Sequence, residues 1–107
     1  MEPHKYKCLK GWRDEMNFRY AITYGKPSPK LDTSKPDEIK KAFNRLTKDV
    51  EKLGLKIVFW GSPWGVSEGF VIVFDFNKNI VLYEKLAMST EIEWPITDNR
   101  TDLVFEW

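Results

Sequence analysis

The chain holds one cysteine, one histidine and no glutamine in 107 residues, and its charges nearly cancel. With Cys8 alone, neither an intrachain disulfide nor a cysteine-based zinc cluster can form. Lys and Arg number 17 against 16 Asp and Glu, a net charge of +1. A phosphate backbone rewards an excess of cations through counterion release, and there is none here. The small cluster His4, Lys5, Lys7, Lys10 and Arg13 reads as a solvated terminal face. No stretch approaches the ~20 apolar residues that cross a bilayer. Residues 1–5 lead into no apolar run of the signal-peptide kind. These absences predict a cytoplasmic chain with no nucleic-acid partner, no membrane contact and no implied cofactor. Lacking Gln and rich in Lys and Glu, the composition leans toward a thermophilic source.

Catalytic motifs are missing too. His4 and Cys8 are the one nearby nucleophile–base combination, and no third group is evident to orient them. Cys8 reads instead as a small hydrophobe and His4 as a tail residue.

Aromatic residues are plentiful at 15%, with five Trp. Hydrophobic residues make up 42% and charged residues 31%, the proportions of a globular chain of one domain. The most informative stretch is Gly69-Phe70-Val71-Ile72-Val73-Phe74, which has no polar side chain. A strand alternates its side chains between two faces, so this one presents apolar groups to both. Helices of the same chain can cover one face. The second needs a partner subunit or an apolar ligand.

Residues 16–24 alternate, with Phe18, Tyr20, Ile22 and Tyr24 on one face and Arg19, Ala21 and Thr23 on the other, which predicts a strand. The Pro- and Gly-containing segment 25–35 predicts a loop. Ile39, Ala42, Phe43, Leu46, Val50 and Leu53 form the single stripe of an amphipathic helix. Pro36 suits its first turn, Asp37 and Glu38 its positive end, and Gly54 its stop. Residues 55–60 read as a second strand, joined to 69–74 through a loop holding Gly61, Pro63 and Gly65. A short helix over 78–88, capped by Asn77, follows. The alternative is a second hairpin that turns at residues 77–79 and continues into 80–83. Asp98-Asn99-Arg100 reads as a turn and residues 103–107 as a closing strand. Residues 1–15 form an arm or an added strand, and 16–107 a single domain.

The order strand, helix, strand, strand, helix, strand is the βαββαβ pattern of the ferredoxin-like α+β fold. Right-handed crossovers place both helices on one face of a four-stranded antiparallel sheet. Two resemblances follow. Glu68-Gly69-Phe70-Val71-Ile72-Val73-Phe74 partly resembles the central-strand signature of RNA-recognition domains, agreeing at Gly69, Phe70 and Val73. It departs at Glu68, Val71, Ile72 and Asp75, which removes the cation and the paired stacking aromatics. Over residues 16–107, the element order and the two-sided apolar sheet resemble the dimeric α/β-barrel superfamily. That resemblance implies a homodimer closed sheet against sheet around a pocket. It also implies roles ranging from cofactor-independent monooxygenase- or isomerase-like enzymes to ligand-sensing domains. His4 lies outside the expected sheet, so a His-ligated haem is not expected.

The interface should bury on the order of 1,200–2,000 Å². A small apolar or aromatic ligand is expected near the loop from Gly61 to Glu68. Trp60 and Trp64 would be its walls and Ser67 and Glu68 its polar groups. For each, ordinary packing or turn formation is the competing reading. Burial in such a pocket would raise the Glu68 pKa and make it a general base. Arg19 and Tyr20 complete the candidates, with Arg19 and Asp75 also placed to pair across adjacent strands.

Overall fold

The computed structural model describes residues 18–77 and 79–105. The arm expected over 1–15, with His4 and Cys8, lies outside the described residues, as do Lys78, Glu106 and Trp107. Six elements follow one another: β1 (Phe18–Pro27), α1 (Pro36–Lys52), β2 (Lys56–Gly61), β3 (Phe70–Asp75), α2 (Ile80–Ala87) and β4 (Ile96–Phe105). The strands form one sheet in the order β2-β3-β1-β4, every neighbouring pair antiparallel. This is the ferredoxin-like βαββαβ arrangement that the element order predicts.

The stripe on α1 does what its spacing requires. Phe43, Leu46 and Val50 are fully buried, and Ile39 and Leu53 pack against them. Burial of each large side chain stabilises by roughly 1.5–3 kcal/mol. Pro36 occupies the first turn, with Asp37 and Glu38 beside it and Lys52 in the last. Gly54 ends the helix at φ +88°, a conformation that a side chain would oppose. Its N–H donates to the Glu51 carbonyl at 3.0 Å, and the Leu55 N–H to the Val50 carbonyl at 3.2 Å. Those two bonds satisfy carbonyls that the helix end would otherwise orphan.

A helix, not a hairpin, follows β3. Its cap is Asn79 in place of the expected Asn77, the side-chain oxygen accepting from the Leu82 N–H at 3.2 Å. Asn77 instead turns the chain at φ 49°, and its N–H donates to Asp75 Oδ1 at 2.9 Å. Leu86 joins the same buried cluster as Phe43, so both helices cover one face of the sheet.

Strand takes the first three residues of the loop expected over 25–35 and the whole turn expected at Asp98-Asn99-Arg100. β1 runs on through Gly25 to Pro27. Ser28 donates its N–H to the Pro95 carbonyl at 2.9 Å, on the β4 side. By alternation, the nitrogen of Pro27 faces the other side, where β3 has ended at Phe70 opposite Gly25. Proline is tolerated there because no ladder bond is lost. The second segment, Asp98-Asn99-Arg100, lies inside β4. The register with β1 shifts between Tyr24↔Arg100 and Lys26↔Thr97, leaving one extra residue on β4. Asp98 takes φ 50° there. Turn-forming residues are here the residues of a β-bulge, which needs the same left-handed backbone.

The alternation of β1 is as expected, but its less bulky set faces the helices. Ala21, Thr23 and Gly25 are buried opposite Phe74, Ile72 and Phe70 of β3. Small residues on one strand make room for large ones on the next, which is how an interior reaches close packing. Tyr20, Ile22 and Tyr24 therefore face away from the helices.

Candidate functional site: the helix-free sheet face and the cleft behind it

Cross-strand pairs share a face, so register alone builds the uncovered surface. Its middle row is Phe59, Val73, Ile22 and Asp102 across β2, β3, β1 and β4. The row on one side is Gly61, Val71, Tyr24 and Arg100. On the other it is Lys56, Asp75, Tyr20 and Val104. Phe59 is 53% exposed and Val104 38%. The face thus has an apolar centre flanked by two tyrosines, with Lys56, Asp75, Arg100 and Asp102 around its edge.

The arginines among those charges are paired within the chain. Arg19 sits at a bulge of β1 and reaches Asp75 Oδ2 at 3.3 Å, as the sequence suggested, with its guanidinium 5.4 Å from the Tyr20 ring. At the other end the Arg100 guanidinium lies 4.2 Å above the Tyr24 ring. Its Nε donates to Glu68 Oε2 at 2.7 Å, and Nη1 lies 3.6 Å from Asp102. Stacking and ion pairing together hold Arg100 flat on the sheet.

Of the six candidates, Arg19 and Tyr20 meet at one end of this face and Glu68 lies at the other. Tyr20 and Tyr24 mark the two ends, about 13 Å apart at strand rise. Trp60 belongs to the opposite face, stacked on Phe43 with ring centroids 4.3 Å apart and planes 10° from parallel. Trp64 is 100% exposed at the loop tip, and Ser67 is exposed beside it. The expected grouping of Trp60, Trp64 and Glu68 therefore does not form.

Nor is Glu68 tuned as a base. The hydrogen bond from Arg100 holds its carboxyl below the usual glutamate range, the reverse of the expected desolvation effect. The same bond raises the pKa of Arg100. Among the described residues no group of three His, Cys, Asp or Glu is placed to hold a metal ion. The RNA-type signature falls on the wrong side. Phe70 and Ile72 occupy the stacking positions of that signature, and both are buried under the helices. The uncovered face of β3 shows Val71, Val73 and Asp75 instead.

On the helix side, two clefts flank Trp94. One of about 380 Å³ lies between α1 and the loop after β1, with Lys30, Glu38, Arg45 and Glu93 on its walls. An exposed Arg45–Glu93 pair at 3.2 Å borders it. The other, of about 330 Å³, opens between α2, β1 and β4, over Thr23 and Thr101. The sequence placed Thr23 on one face of the first strand, but it did not single out Tyr83, Trp94, Asp98 or Thr101. Their shared site depends on β4, whose first half reads as a turn.

No helix among the described residues is long and apolar enough to cross a membrane. No protein-family model matches the chain, and no curated protein matches it.

Proposed function

We propose that this chain is a homodimeric small-molecule-binding protein, its uncovered sheet faces pressed together, and not an enzyme. One observation carries the reading: Phe59, Val73 and Ile22, three of the four residues of the middle row, are apolar and partly exposed, and the arginines at the two ends of the face are paired within the chain. A face meant for phosphates would leave its arginines free, whereas one meant for its own copy needs nearly balanced charge and an apolar centre. Area supports the same reading. Four strands about 4.8 Å apart and about 3.3 Å per residue long span on the order of 500 Å². Two such faces bury on the order of 1,000 Å², where specific interfaces begin. The catalytic alternative is weaker because the hydrogen bond from Arg100 lowers the proton affinity of Glu68, its best base.

Light scattering at micromolar concentration tests the dimer. The expected mass is twice the 12.7 kDa of the chain. Val73→Glu puts an unpaired charge at the centre of the contact and should leave a folded monomer. A monomeric wild-type chain that binds single-stranded RNA with a steep salt dependence would replace this reading with the RNA one.

A further inference from the structure

The cleft over Thr23 exists because the second helix is short. Eight residues of α2 extend about 12 Å. The ten residues of β4 extend roughly three times as far. Part of the helix-facing side of β1 and β4 is therefore left open, with Trp94 at its boundary.

The floor of this cleft breaks the pattern of the core. Thr23 is only 6% exposed and is the one buried polar residue among those described, on a face otherwise built from Ala21, Ile72 and Phe74. Its hydroxyl and that of Thr101 lie 2.9 Å apart. Two hydroxyls carry two hydrogens, and their mutual bond uses one. The pair can therefore still donate one hydrogen bond and accept others. The walls are aromatic: Phe74 meets Trp94 edge-on at 6.2 Å, and Tyr83 stands on α2. Asp98 is the one charged side chain among the lining residues, presented by the left-handed bulge residue of β4. Bulges re-aim side chains, and they concentrate beside sites that use them.

We infer that this cleft binds a small arylalkylammonium ion, its ring against Trp94 and Tyr83 and its ammonium group donating to Asp98 and to the hydroxyl oxygens of Thr23 and Thr101. The volume of about 330 Å³ suits a compact ligand. The lone carboxylate selects a cation over an anion of the same shape. The inference rests on the binding-protein reading and not on the dimer, since the cleft opens between α2, β1 and β4 and not on the bare face proposed as the contact.

Titration of the full chain with 2-phenylethylamine, followed by amide resonances and calorimetry, tests it. Saturable binding should shift the amides of Thr23, Asp98 and Thr101, and phenylacetate should bind at least about tenfold more weakly. Asp98→Asn keeps a residue that tolerates the left-handed backbone. It should weaken the amine about tenfold with the fold intact, because a charge-assisted bond is lost. Thr101→Ser should retain binding and Thr101→Val should reduce it. The site is overturned if no saturation appears at millimolar amine, if phenylacetate binds equally well, or if the shifts fall on Tyr20, Tyr24 and Val73. None of these readouts depends on the oligomeric state, so a monomeric protein and a failed cleft are separate results.

Discussion

The two faces of the sheet share the same four strands and differ in what finishes them. On the covered face Ala21, Ile72 and Phe74 are at most 1% exposed, and α1 supplies Phe43, Leu46 and Val50 to reach that state. On the bare face the alternate residues of the same strands include Phe59 and Val104, still open to solvent. The closed core of the covered face keeps charge out, Asp98 standing only at its open cleft, whereas the bare face carries charges along its edges and pairs its arginines. Exclusion suits an interior closed by one chain. Paired charges suit a surface that must stay in water until something arrives to cover it.

The sharpest way to break this contrast is to empty the covered face. Phe43→Ala removes a fully buried ring that stacks on Trp60 and tilts against Phe70. It should cost about 3–5 kcal/mol, read as a fall in the thermal midpoint. Val73→Ala, on the bare face, should cost a monomer far less. Equal losses would mean that the bare face is also a core within one chain.

A smaller effect is expected where β1 passes close to the Ile96 side chain. A Cβ on Gly25 would stand 2.7 Å from both Cβ and Cδ1 of buried Ile96. Gly25→Ala should destabilise by about 1–3 kcal/mol through overpacking. Its partial rescue by Ile96→Val in a double-mutant cycle would locate the strain in that contact.

The smallest effect belongs to the Arg100–Glu68 pair. Glu68 has its pKa lowered by Arg100, so their pairing stabilises fully above the ordinary glutamate value of 4.5 and is lost as pH falls through the lowered one. Glu68→Gln should therefore be less stable than wild type at neutral pH and converge with it in acid. Thermal melts across that range check the sign, and a gap that widens in acid would contradict it.

Much of this architecture is legible residue by residue. The stripe on α1, its Pro36 start and its Gly54 stop are local signals, and the apolar run of β3 is readable because both its faces are buried or half-buried. β4 is not legible in the same way. Its Asp98-Asn99-Arg100 segment has turn chemistry, and only pairing with β1 makes it strand, with the left-handed residue absorbed as a bulge. The candidate site divides along the same line. Arg19 and Asp75 are foreseeable partners because each is a lone charge on an apolar strand. Trp60 and Glu68 are close in sequence yet lie on opposite sides of the sheet, because register assigns the faces and loop proximity does not.

The sequence by itself determined the order of elements, the amphipathic first helix and a central strand apolar on both sides, since each follows from periodicity within a few residues. Tertiary structure alone decided which face of β1 meets the helices, where β4 pairs, and which side chains gather around Thr23. Those outcomes depend on volumes and hydrogen bonds matched between residues as far apart as Thr23 and Thr101, which no local pattern encodes.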